Sequence, residues 1–292
     1  DPVNDKEIYY EADNTFSVYL GQTKSRKYIL INSTQTLSSE VRLIDASKPD
    51  AEIKIFEPRR ADHEYDVDHL GNSFYILTNS NGAKNFKLMK SPDNKTSFEN
   101  WTQVIPHRDD VLLQGFEIFD QYLVTNERIK GLNNLRIINL KDNSEHYLDF
   151  GEETYSANLN VNLKPDSEIL RYSYSSLTTP NSVIDYNMVT KAKKVLKQDE
   201  ILGGFNADNY ESLRLCAPAG DGTQIPVSLV YRKGFVQNGQ APLLLYAYGS
   251  YGSSTNASFS SNVISLLDRG FAYAIDRKST RLNSRHVSQD RM

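Results

Sequence analysis

One cysteine in 292 residues, Cys216, has no partner for an internal disulfide, which rules out a disulfide-stapled scaffold and fits a reducing, cytoplasmic compartment. No run approaches the roughly eighteen apolar residues that a membrane span needs, and no charged-then-apolar leader opens the chain. The first residue is Asp1 rather than an initiator Met, so the missing leader excludes little. Basic charge is scarce: the formal net charge is −4, and no basic stripe occurs before the last seventeen residues. That argues against a nucleic-acid partner held through its phosphates. Helical periodicity is nearly absent from the first two hundred residues. With 39% apolar and 24% charged residues, the chain has material for one large or two medium globular domains.

What is present is a repeat. The runs KYILIN from Lys27, SFYILTN from Ser73, QYLVTNE from Gln121 and EILRYSYS from Glu168 begin 46, 48 and 47 residues apart. Each is followed by a second run (from Val41, Phe86, Leu135 and Val183) and by a third (from Ile53, Thr102, Glu145 and Lys193). Turn residues such as Ser80-Asn81-Gly82 and Lys141-Asp142-Asn143 separate them. This period matches four-stranded propeller blades, which must stack because none can bury both faces alone. A β-sandwich would not show such in-register similarity. About four blades are expected, fewer than a ring normally needs to close.

Within the repeat, Asp62, His63, Glu64, Asp66, Asp68 and His69 have metal-ligand chemistry but no spacing that brings three or four ligands together, so a polar inter-strand loop is expected. Trp101 and the tyrosines read as packing between blades, and His107 and His146 close third strands without a catalytic role. Cys216, in LRLCAPA, is expected to be buried and inert on a strand.

From Tyr210 the pattern changes. Two long strands surround a tight turn at Gly220, Asp221 and Gly222, followed by Pro242 to Gly252, read as PLLLYAYGSYG. Its apolar run, Leu243 to Tyr246, predicts a buried parallel strand ending in a glycine loop. Spacing alone leaves open whether that loop is an ordinary turn or carries chemistry. A short apolar segment, 262–267, then precedes a further buried strand, FAYAI from Phe271; hairpin, strand, crossover and strand is how an α/β domain begins.

GFNADNYES at 204–212, DGTQIPVSLVY at 221–231, PLLLYAYGSYG at 242–252 and LLDRGFAYAI at 266–275 resemble the prolyl oligopeptidase family of serine peptidases. So do SSEVRLIDA at 38–46, PRRADHEYDVDH at 58–69 and YSSLTTP at 174–180; the oligopeptidase B subfamily is the most similar. The resemblance implies a partial β-propeller at 1–203 followed by the truncated start of an α/β-hydrolase domain at 204–275, acting on short peptides, after Arg or Lys, with no cofactor or metal. It implies that Tyr248 donates its hydroxyl to an oxyanion hole and that Tyr251 lies near the substrate. Asn256 and Ser258 stand where the family often carries two acidic residues that favour a second basic residue in the substrate, and Ala247 replaces a family glycine.

The family's nucleophile elbow, Gly-x-Ser-x-Gly, occurs nowhere in the chain, and Ser250 has the wrong spacing to supply it. The catalytic Ser, Asp and His are therefore expected beyond a truncation, leaving the chain as written inactive. Residues 276–292, with five basic and two acidic residues, break abruptly from what precedes them. A genuine basic tail, an alternative exon-like end and read-through into a sequencing adapter compete; the last is favoured, and His286 is then no triad histidine. The alternative from another class is a non-catalytic propeller that binds a peptide or protein.

Overall fold

The computed structural model describes residues 4–220, 222–248 and 255–276. The chain divides into two compact units, one of residues 1–121 with 163–166, the other of 122–162 with 167–292.

In the first unit, β1 (Ser17–Gln22), β2 (Tyr28–Gln35), β3 (Ser38–Asp45) and β4 (Lys54–Glu57) form one antiparallel meander. A second is made by β5 (Tyr65–Leu70), β6 (Ser73–Thr78), β7 (Lys87–Pro92) and β8 (Thr102–Ile105), and β9 (Val111–Ile118) follows. The strands are rich in β-branched and aromatic residues, whose shape suits a pleated, half-buried surface. Leu30, Val41, Leu43 and Phe56 from the first sheet meet Tyr65, Val67, Phe74 and Ile76 from the second in one core, closed by Trp101. Trp101 is a packing residue, as expected, and its indole N–H donates to the Thr96 carbonyl at 2.7 Å.

The second unit begins with β10 (Tyr122–Ile129), β11 (Leu132–Asn139) and β12 (Glu145–Tyr147), and continues with the meander β13 (Tyr155–Leu159), β14 (Ile169–Ser176), β15 (Ser182–Asn187) and β16 (Lys193–Gln198). Then come β17 (Tyr210–Pro218), β18 (Gln224–Arg232), β19 (Leu243–Ala247), the helix α1 (Ser261–Leu267) and β20 (Ala272–Asp276), in a sheet ordered β17-β18-β20-β19. The repeat runs thus become the second, third and fourth strands of each group. The first strand of each group, β1, β5, β9 and β13, is an element that the repeat runs do not mark.

Three expectations are corrected. Only part of the acidic and histidine cluster is a loop: Asp62, His63 and Glu64 lie in the connection between β4 and β5, but Asp66, Asp68 and His69 belong to the strand Tyr65–Leu70, whose period of two is masked by its charges. Tyr65, Val67 and His69 point into the core, whereas Asp66 and Asp68 point the other way. Cys216 lies on a strand but is exposed, because β17 is the edge of its sheet and its second half is uncovered. Leu243 to Tyr246 do form a parallel strand, yet all four side chains are exposed, at 44 to 56%. The turn at Asp221 lies outside the described residues, although its flanks close as expected, with the Ala219 N–H donating to the Thr223 carbonyl at 2.8 Å.

The two inward histidines act as core aromatics. His63 stacks on Tyr65 with ring centroids 5.2 Å apart, and its Nε2 lies 3.1 Å from the Thr78 hydroxyl. His69 meets the ring of Phe74 at 4.7 Å, and its Nδ1 lies 2.7 Å from the Ser25 hydroxyl. Burial, with Arg60 nearby, pulls the pKa of His63 down to about 4. The unfolded chain, with histidine near its ordinary pKa of about 6.5, then binds more protons than the folded one in the window between these values. The contribution is fully present above pH 6.5 and is lost as pH falls toward 4. Asp66 works in the opposite sense: crowding by protein, at a side chain still reached by water, pushes its pKa up to about 6, so its charge penalises folding as pH rises through that value. Replacing His63 by Gln is therefore expected to recover about 2 kcal/mol of the stability lost between pH 6.5 and pH 4.5, relative to each protein's own value at pH 7.5. Urea unfolding at the three pH values checks this; parallel pH profiles for the two proteins would refute it.

Candidate active-site region

β19 and β20 run parallel, with Leu243 opposite Ala272 and Ala247 opposite Asp276, and α1 is the crossover between them. β18 pairs antiparallel with the other side of β20, from Val227 opposite Asp276 to Val230 opposite Tyr273. The helix forms because Val263, Ile264 and Leu267 recur on one face, and the turn that follows it closes at Gly270, whose φ of +85° suits glycine. Ile264 and Leu267 pack against Val230 and Ile275. Asp268 fixes the end of the helix by accepting from the Tyr210 hydroxyl at 2.8 Å and from Arg232 at 3.0 Å.

Tyr248 follows directly on β19, at the carboxyl end of the parallel pair, and is 46% exposed. Carboxyl ends of parallel strands are where α/β sheets present ligand-binding groups, since the loops there are free of crossover packing. Tyr251 lies outside the described residues, as do Gly249, Ser250 and Gly252.

Residues 255–259 are tied to propeller strands. The Phe259 N–H donates to the Ser175 hydroxyl on β14 at 2.9 Å, and the buried Ala257 shares a core with Leu177. Asn256 accepts from Nη2 of Arg128 on β10 at 3.1 Å, and Ser258 is half-buried beside it in sequence. The hairpin β17–β18 is held to the same strands. Its Arg214 donates from Nη2 to the Lys130 carbonyl and from its backbone N–H to Glu153 at 3.1 Å. The structure thus brings Asn256 against Arg128, a residue that sequence reasoning missed; its only local signal was a charge at the end of a strand before a Lys-Gly turn.

A separate polar hollow of about 620 Å³ lies between the end of β16 and the start of α1, lined in part by Lys197, Asp199, Glu200 and Ser260. Its lining holds two hydroxyls, of Ser260 and Ser261, but no histidine to activate either, so it offers no serine–histidine pair. Among the described residues, no three His, Cys, Asp or Glu side chains converge to hold a metal, and no helix is long and apolar enough to cross a membrane.

The chain is 43% identical over 269 residues to dipeptidyl aminopeptidase BI of Pseudoxanthomonas mexicana, covering 92% of this chain and 37% of that protein. It is 29% identical to protease 2 of Moraxella lacunata, covering 94% of this chain and 39% of that one. Among solved structures, oligopeptidase B of Leishmania major superposes with a TM-score of 0.84 at 31% identity, over 92% of this chain and 39% of its own. The chain therefore spans about two fifths of the length of these relatives. Residues 1–199 match the model of the prolyl oligopeptidase N-terminal β-propeller domain. By that match, and by the four-stranded sheets that fill the same residues, this chain belongs to the prolyl oligopeptidase family.

Proposed function

We propose that this chain is part of a serine endopeptidase that hydrolyses short peptides after Arg or Lys. Residues 1–203 are the propeller portion, and residues from 204 to the end of β20 at Asp276 open the peptidase domain. The observation that carries this reading is the position of Tyr248 at the carboxyl end of the parallel pair β19–β20, where a phenolic hydroxyl can be aimed at bound substrate. In the complete protein a serine attacks the peptide carbonyl while a histidine, oriented by an aspartate, takes its proton. Tyr248 and a backbone N–H bind the resulting oxyanion. Tyr251, Asn256 and Ser258 line the path of the peptide on the side that precedes the cleaved bond.

The test has two steps. Reading the gene past the codon for Asp276 should reveal a Gly-x-Ser-x-Gly elbow, and the complete gene product should hydrolyse a fluorogenic Arg-linked peptide and take up one equivalent of a fluorophosphonate. The 292-residue chain should do neither. A complete product without labelling or hydrolysis would leave a peptide-binding propeller instead. The 43% identity to a protein named dipeptidyl aminopeptidase favours a second specificity, removal of dipeptides from a free amino terminus. N-acetylated and free-amine versions of one substrate separate the two, since only the endopeptidase accepts the blocked form.

A further inference from the structure

We propose that Arg128 determines specificity in this site, presenting a cation that favours an acidic side chain, and disfavours Arg or Lys, at the peptide residue just before the one after which cleavage occurs. The inference rests on the peptide-binding role given above to Asn256. It starts from how β10 and β11 turn. Ile129 pairs with Leu132, so only Lys130 and Gly131 form the loop, both with positive φ, at 48° and 84°. This is the backbone of a two-residue hairpin turn whose twist suits the strands. Arg128 stands one residue before the turn and donates from Nη1 to the Gly131 carbonyl at 3.1 Å. That contact directs the other arm of the guanidinium to Asn256, 3.1 Å away.

Both of its acceptors are neutral. Other arginines of the chain meet carboxylates: Arg59 meets Glu11 and Glu40, Arg136 meets Glu127 and Glu145, and Arg171 meets Asp185. Arg128 meets none among the described residues, although it is half-buried and its burial lowers its pKa. Guanidinium carries five N–H donors and stays charged, so two neutral contacts leave both charge and donors for a ligand. A partly desolvated cation without a counter-ion is costly, and a carboxylate reaching it gains a charge-assisted, forked pair. An incoming Arg or Lys meets like charge instead. The same geometry changes what Asn256→Asp would do: the new carboxylate would neutralise Arg128 rather than recruit a second basic residue.

The test uses the complete gene product with N-acetylated Glu-Arg, Gln-Arg and Arg-Arg fluorogenic substrates. Glu-Arg is expected to exceed Gln-Arg in kcat/KM by roughly fivefold, the scale of a partly exposed ion pair. Arg-Arg should be the poorest. Arg128→Gln should bring the Glu-to-Gln ratio near one, Arg128→Lys should keep most of it, and Asn256→Asp should abolish it without creating a dibasic preference. A ratio unchanged in Arg128→Gln, or a preference for Arg-Arg in the unmodified enzyme, would overturn the inference. Absence of any cleavage overturns the peptidase reading instead. The role of Arg128 is then decided by fluorescence anisotropy of a labelled acetyl-Glu-Arg peptide on the 292-residue chain: binding weakened by Arg128→Gln supports it, and binding that is absent or unaffected overturns it.

Discussion

Replacing Tyr248 by Phe in the complete gene product is expected to lower kcat by about 10²- to 10³-fold, the usual cost of removing one oxyanion donor. The change deletes a single oxygen and leaves the ring, so packing around the exposed side chain should be undisturbed. A hydroxyl that contacts only the developing alkoxide contributes to the transition state and little to substrate binding, so KM should move far less than kcat. Steady-state kinetics on a blocked Arg-linked substrate give both parameters, with fluorophosphonate labelling as a check that the serine remains in place. A fall in kcat of less than threefold would remove Tyr248 from the oxyanion hole. A large rise in KM at constant kcat would make it a substrate-binding residue instead.

Phe74→Ala is expected to cost about 3–5 kcal/mol of stability, a large share of the 5–15 kcal/mol typical of a whole domain. Phe74 has no exposed surface, and its ring meets Phe56 at 5.0 Å, Tyr28 at 5.0 Å and His69 at 4.7 Å. Those neighbours sit on three different strands, β2, β4 and β5, so they cannot collapse together into the space the ring vacates. The chain's single tryptophan, Trp101, belongs to the same core, so its fluorescence reports the first unit. Urea unfolding followed at this residue should show a large fall in midpoint at an unchanged slope. A loss below 1 kcal/mol would mean that the cavity fills by rearrangement.

The strand repeat was legible because its signals are local. Alternation in the run from Ser73, the paired apolar runs on either side of Lys130-Gly131, and turn residues at constant spacing each need only a few consecutive residues to be read. The same holds for the hairpin β17–β18 and for the strand, helix and strand that end the described chain. The strand β5, at one edge of its sheet, was illegible for the converse reason. Asp66 and Asp68 point away from the core, and their charges outweighed the alternation of Tyr65, Val67 and His69.

The sequence by itself determined the second, third and fourth strands of each group, the hairpin β17–β18 with the parallel strands after it, the family, and the position of Tyr248 after an apolar strand. Burial and partnership were decided only in the tertiary structure. Four consecutive apolar residues from Leu243 proved exposed, Cys216 came to lie on an uncovered edge, and two histidines from an acidic cluster became core aromatics. Arg128 and Asn256 meet across 128 positions of the chain. Local periodicity describes which face of an element is apolar, but which residues touch depends on how sheets and loops from distant parts of the chain pack, and no short window of sequence carries that information.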